Sequence, residues 1–139
     1  MADYAGDLTP TEAWELLETE PEAVLIDVRT QAEWQYVGAP DLSPLAKRAQ
    51  FCEWVRFPDG APNPAFAEQA MAAAPDPEAP VLFLCRSGVR SVAAATAMTE
   101  AGYARCYNIA QGFEGDKDAD QHRGTLGGWK VAGLPWIQG

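Results

Sequence analysis

The stretch Val81-Leu82-Phe83-Leu84-Cys85-Arg86-Ser87-Gly88-Val89-Arg90-Ser91 decides how this chain is read. Val81 to Leu84 is an apolar run of strand length. Beyond Ser91 the chain is rich in alanine, with Val92, Ala95, Met98 and Thr99 at helical spacing and Gly102 as a stop, which predicts a helix. The loop between them opens on a cysteine, carries two arginines and has Gly88 where a positive φ is expected. Strand, loop and helix thus place a candidate nucleophile, Cys85, at the C-terminal end of a strand. In open α/β sheets that edge binds ligands.

The chemistry follows from that location. Thiolate is the reactive form, and at an ordinary pKa near 8.5 only roughly 3% of a thiol is ionised at pH 7. Lowering the pKa by two units needs about 2.7 kcal/mol in favour of the anion. A helix N-terminus supplies roughly 0.3–1 kcal/mol, rising to ~2 when partly buried. Arg86 and Arg90 are the neighbouring charges that make up the difference, and successive loop N–H groups form a concavity for an anion. The alternative is an inert buried cysteine, the usual state of a free thiol.

Elsewhere the pattern alternates strands with helices. Thr9-Pro10-Thr11-Glu12 predicts a helix start, with Thr9 at the cap, Pro10 at the first position and Glu12 completing a capping box. Ala13, Trp14, Leu16 and Leu17 supply its apolar face. Ala23 to Val28 reads as a continuous apolar strand of the kind covered on both faces. It ends in Asp27 and Arg29, charges that need partners if buried. Either they tie down neighbouring loops or they brace the active loop with Asp27 facing Arg90; in both readings they support the site rather than touch substrate. Thr30 caps a helical turn that includes Glu33 and Trp34.

Residues 40 to 80 are less legible. Lys47, Arg48, Trp54 and Arg56 either line the mouth of an anion site or form an ordinary amphipathic segment on the sheet. Another helix is expected up to Ala74, with Asn63 at its cap and Pro64 at its first position. Arg105 to Ile109 predicts the next strand, with Cys106 packed inside it. Asp116 to Gly128 is polar and glycine-containing, hence surface loop or short helix. Trp129 and Trp136 are expected to dock the tail.

Composition bounds the function. With 139 residues the chain is long enough for one real core, and its 47% hydrophobic and 22% charged content is ordinary for a globular domain. Twenty acidic against ten basic residues give a net charge of −10, whereas a nucleic-acid partner would want a basic face. The N-terminus lacks a basic region and an apolar core, and no apolar run approaches the ~18 residues of a membrane span. Neither nucleic acid nor membrane is expected as partner, and a cytoplasmic location is. Cys52, Cys85 and Cys106 are odd in number and lack CxxC spacing, which disfavours a disulfide framework or a metal site. The lone His122 is read as a surface residue rather than half of a Cys–His dyad.

Cys85-Arg86-Ser87-Gly88-Val89-Arg90-Ser91 resembles the active-site loop of the rhodanese family, sulfurtransferases that pass sulfane sulfur through a cysteine persulfide. Further rhodanese-like motifs are Leu25-Ile26-Asp27-Val28-Arg29 with Glu33-Trp34, Gly38-Ala39, and Asn108-Ile109-Ala110-Gln111-Gly112-Phe113 followed by Gly133-Leu134-Pro135. They occur in family order. One departure is Tyr36-Val37, where the family usually has a His-Ile pair before Gly-Ala. The resemblance implies a single domain over residues 1–139 with its core at about 8–137. It also implies an α/β fold with a mostly parallel sheet of five strands and helices on both faces. Residues 111 to 115 are implied to form a loop near the site.

The resemblance also implies the site: Cys85 as catalytic residue, and Arg86, Ser87, Gly88, Val89 and Arg90 as the loop that holds substrate and persulfide. Asp27, Arg29 and Ser91 support it, and no metal or cofactor is required. Cys85 to Arg90 spans six residues. Related phosphatases use a longer loop with the arginine one position later and usually a histidine before the cysteine, where this chain has Ser91 and Leu84. A shorter loop makes a smaller cradle, suited to one sulfur atom. The expected function is transfer from thiosulfate or a related donor to cyanide or a cellular thiol, with a protein as a further candidate acceptor. The alternatives are a non-catalytic binding or persulfide-carrier module, and a Cys-dependent phosphatase or arsenate reductase.

Overall fold

The computed structural model describes residues 4–55, 61–86 and 88–138. In chain order the strands are β1 (Gly6–Leu8), β2 (Val24–Asp27), β3 (Ala39–Pro40), β4 (Gln50–Phe51), β5 (Val81–Leu84), β6 (Cys106–Ile109) and β7 (Trp136–Ile137). The helices are α1 (Pro10–Thr19), α2 (Gln31–Tyr36), α3 (Phe66–Ala73) and α4 (Val89–Glu100). Among the described residues, five strands form one parallel sheet in the order β1-β6-β5-β2-β4, and β3 pairs with β7 in a small antiparallel ribbon.

The alternation of β2 and β5 explains why these strands are apolar up to Asp27 at the end of β2. Leu25, Leu82 and Leu84 face one layer with Ala13 and Leu17 of α1, Phe113 and Trp129. Ile26, Val81 and Phe83 face the other, with Phe66 and Ala70 of α3 and Ala94, Ala95 and Met98 of α4. A strand covered on both faces has no polar side to show. All of these side chains are buried, each contributing roughly 1.5–3 kcal/mol for the larger ones.

The expected capping box forms at α1. Thr9 Oγ1 accepts the Glu12 N–H at 3.2 Å while Glu12 Oε1 accepts the Thr9 N–H at 2.9 Å. Thr30 and Glu33 repeat the arrangement at α2. The α3 boundary differs from expectation, because Asn63 closes a turn ahead of the helix. Its Oδ1 accepts the Ala65 N–H at 3.1 Å, and its Nδ2 donates to Glu53 O and Gln69 Oε1. The tail docks through Trp129, which is fully buried, meets Trp14 edge-on at 5.8 Å and donates its indole N–H to Pro135 O at 2.7 Å. Among the described residues no helix is long and apolar enough to cross a membrane.

Candidate active site

Cys85 follows β5 directly and sits at the C-terminal edge of the sheet. The register places Leu84 beside Asp27 and Phe83 beside Asn108, so three strand ends converge there. The Gly88 N–H donates to Cys85 Sγ at 3.1 Å. Gly88 has φ +107° and stands as the N-cap of α4. Only a residue without Cβ adopts that backbone readily, and adopting it aims the first turn of a twelve-residue helix at the sulfur. Ser87 lies outside the described residues.

A second turn clamps the loop from behind. Cys85 O accepts the Phe113 N–H at 2.8 Å, and Arg86 O accepts the N–H groups of Glu114 at 3.0 Å and Gly115 at 3.1 Å. Gly112 (φ +62°) approaches so closely that a Cβ there would lie 2.5 Å from Cys85 O. Residues 111 to 113 are therefore part of the site's floor.

Behind the sulfur runs a chain of side chains. Ser91 Oγ lies 3.2 Å from Cys85 Sγ and donates to Asn108 Oδ1 at 2.5 Å. Asn108 Nδ2 donates in turn to Asp7 Oδ1 at 2.9 Å.

In front of the sulfur, Cys85, Arg86, Val89, Arg90 and Arg123 line a cleft of about 400 Å³. Arg90 is held by Glu33 in a two-pronged ion pair, Nη1–Oε1 2.7 Å and Nη2–Oε2 3.0 Å. Burial pushes the Glu33 carboxyl up. The Arg90 hydrogen bonds and charge, the Thr30 N–H and the Arg29 charge outweigh that and hold it below its ordinary value. Burial likewise opposes the Arg90 cation, and Glu33, then Cys85 and Asp27, more than restore it. Arg123 arrives from the polar 116–128 segment, fixed by an Nη1 hydrogen bond to Gly115 O at 2.7 Å. Three guanidinium groups against one carboxylate leave the cleft positive in a chain of net charge −10.

The expected Asp27–Arg90 contact is replaced by two separate pairs. Asp27 is bound by Arg29, whose Nη2 lies 2.7 Å from Asp27 Oδ2 and also donates to Gly38 O at 2.7 Å. Both residues are fully buried, and the Arg29 guanidinium stacks 4.3 Å from the Phe113 ring centroid. They tie the ends of β2, β3 and the 111–115 turn together, and the two residues that finish the site, Glu33 and Arg123, come from elsewhere. In the sequence Glu33 was legible only as part of the helical turn capped by Thr30 and of the Glu33-Trp34 motif; its hold on Arg90 needs a partner 57 residues away. Arg123 carries no periodicity or motif.

Among the described residues, the basic and aromatic side chains of the 40–80 region do not line this cleft. Lys47 Nζ donates to Glu20 O and Ala23 O, each at 2.8 Å, beside the N-terminal start of β2 and so at the opposite edge of the sheet. Trp54 packs edge-on against Phe66 at 5.0 Å. Arg48 lines two surface grooves away from Cys85. Arg56 lies outside the described residues. Cys52 and Cys106 are buried, and burial pushes the Cys52 thiol up to about 11 and the Cys106 thiol up as well. Among the described residues no cluster of three or more His, Cys, Asp or Glu is placed to hold a metal ion.

The family profile described as the STR4 middle domain matches residues 6–139. The crystal structure of Rv0390 from M. tuberculosis is 51% identical and superposes with a TM-score of 0.91, over 98% of this chain and 99% of that one. An uncharacterized protein of Rickettsia conorii is 38% identical over 94% of this chain and 95% of its own length. The thiosulfate sulfurtransferase GlpE of Actinobacillus pleuropneumoniae is 28% identical over 97% of this chain and 95% of its own.

Proposed function

The chain belongs to the rhodanese-like sulfurtransferase family, and on that premise we propose that it moves sulfane sulfur through a persulfide on Cys85. The supporting observation is the Gly88 N–H donating to Cys85 Sγ at the floor of an arginine-lined cleft. In this reading the thiolate attacks the outer sulfur of thiosulfate or a related donor. A Cys85 S–S bond forms, the donor's own sulfur–sulfur bond breaks, and sulfite leaves with the electron pair. A thiophilic acceptor, cyanide or a cellular thiol, then takes the outer sulfur and returns the thiolate. Two displacements on one nucleophile give ping-pong kinetics.

Arg86 and Arg123 draw the anionic donor into the cleft, and the loop amides hold the persulfide anion in a preformed cradle. Arg90 stabilises the loop as a planar fork on Glu33. Asp27, Arg29 and Ser91 act in support. The chemistry requires no cofactor or metal. We place the reaction in the cytoplasm, where three unpaired thiols stay reduced.

The test is intact mass before and after thiosulfate, with Cys85→Ser in parallel. The expected result is a gain of one sulfur atom, reversed by cyanide and absent from the variant. A Cys85→Ser protein that still turns over would overturn the assignment. A second reading, a persulfide carrier serving a protein acceptor, is favoured by the cleft's open lip, where Val89 is 77% exposed. Slow transfer to every small thiol, with rapid transfer to a protein, would select it. Hydrolysis of an aryl phosphate would instead select the phosphatase reading, which Leu84 and Ser91 disfavour.

A further inference from the structure

The chain Cys85–Ser91–Asn108–Asp7 has a directionality set by its donors and acceptors. Asp7 offers a carboxylate oxygen, an acceptor, 2.9 Å from one end of the Asn108 amide. The amide must therefore turn its NH2 toward Asp7, because the flipped orientation would set two acceptors against each other. Asn108 Oδ1 is thereby fixed facing Ser91, 2.5 Å from its hydroxyl oxygen. A carbonyl oxygen only accepts, so the single Ser91 proton is committed to Asn108. Ser91 then presents a lone pair to Cys85, 3.2 Å away, and that lone pair accepts the S–H of the thiol.

Ionising Cys85 reverses this arrangement. Once the thiol proton leaves through the cleft, Ser91 faces two acceptors, the thiolate and Asn108 Oδ1, with one proton to give. Donating to sulfur leaves two oxygens at 2.5 Å with nothing between them; donating to Asn108 leaves a lone pair against an anion. Either outcome disfavours the bare thiolate. A persulfide escapes the conflict, since its charge sits on the outer sulfur and its Sγ needs no donor.

We propose that Asn108, oriented by Asp7, is a positioning residue that holds Cys85 as a thiol between turnovers by withholding the Ser91 proton. The network relies on buried geometry: Ser91 and Cys85 are at most 1% exposed and Asn108 4%. The Gly88 N–H that donates to Sγ opposes it, as do the cations around the sulfur. They are Arg86 and Arg90 on the loop and first turn of α4, with Glu33 on α2 paired to Arg90, and Arg123 from the 116–128 segment. The Asp27–Arg29 pair stands at the end of β2, and Asp7 on β1 acts through the amide. None of these is altered by an Asn108 variant.

The experiment follows the rate of Cys85 alkylation by iodoacetamide against pH. It needs no sulfur donor, so it stands or falls separately from the sulfurtransferase reading. Asn108→Leu, similar in shape but without an acceptor, frees the Ser91 proton for the thiolate. It should raise the alkylation rate on the acid limb of the rate–pH profile roughly tenfold. In a Ser91→Ala background the same substitution should change nothing, because the proton it would release is gone. Should Asn108→Leu fold poorly, Asp7→Ala serves, since Asp7 is exposed and its loss lets the amide turn; the rate changes in the same direction. An unchanged or slower alkylation in the single variants, or an equal gain in rate without Ser91, would overturn the proposal.

Discussion

Arg90 reaches back 57 residues to Glu33 and grips both carboxylate oxygens, at 2.7 and 3.0 Å. The same Glu33 carboxylate closes the capping box of α2 by accepting the Thr30 N–H. One side chain therefore fastens the nucleophile's loop to a neighbouring helix and finishes that helix. Glu33→Gln keeps most of the shape and removes the charge. It should cost about 1–3 kcal/mol of stability, read from denaturant unfolding, since charge-assisted bonds of this kind are worth that much. Transfer should fall roughly tenfold or more in kcat/KM, because the loop is no longer held in register.

The same pair predicts a pH dependence. Glu33 is held below its ordinary value in the folded protein. Its contribution is therefore complete above the unfolded carboxyl value of about 4.3 and is lost as pH falls through the lower folded value. Wild type and Glu33→Gln should differ in stability at neutral pH and converge in acid. Parallel curves from pH 7 to pH 3 would show that the ion pair contributes nothing.

Gly112 tests how tightly the rear turn presses on the loop. Alanine there would put a methyl group 2.5 Å from Cys85 O and 2.6 Å from Arg86 O, at φ +62°. Backbone rather than a flexible side chain must move, so Gly112→Ala should destabilise the protein by about 1–3 kcal/mol. Activity should suffer more than stability, because the atoms that move carry the nucleophile. Full activity in a stable Gly112→Ala protein would show that the loop tolerates the shift.

These two contacts also mark how far the sequence could be read. The β5–loop–α4 unit was legible because a four-residue apolar run, a glycine and an alanine-rich helix are all local signals. β1 was not: three residues with a glycine among them carry no apolar run, and their place beside β6 rests on a long-range pairing. In the site, Cys85 and Gly88 could be placed from their neighbours. The Glu33–Arg90 pair could not, since Asp27 and Glu33 are equally plausible carboxylates until the end of β2 is built. There Arg29 takes Asp27, and Arg90 is left to Glu33. Lys47 shows the same limit, its charge spent on the carbonyls of Glu20 and Ala23 at the far edge of the sheet.

The three thiols should behave differently toward alkylation. Cys52, pushed up to about 11 by burial, is about one part in a thousand thiolate at pH 8, and Cys106 is raised by burial too. Cys85 alone lines the cleft. Native protein at pH 8 should therefore take one label, on Cys85, and unfolded protein three. A second label on the native protein at a comparable rate would mean that the core around Cys52 or Cys106 opens readily.

Arg123 offers the sharpest test of what the cleft selects. Arg90 is neutralised by Glu33, so Arg86 and Arg123 supply the positive charge that an entering anion meets. Arg123→Gln retains a donor for Gly115 O while removing the charge. If Arg123 binds the donor, KM for thiosulfate should rise roughly tenfold, the scale of one charge-assisted hydrogen bond, with kcat nearly unchanged. A probe free of sulfur chemistry separates charge from structure. Iodoacetate, an anion, should alkylate Cys85 more slowly in the variant, while neutral iodoacetamide should react as before. Equal slowing of both reagents would instead mean that the 116–128 segment had shifted and closed the cleft. No change in either would remove Arg123 from donor binding and leave Arg86 as the cation that the anion meets.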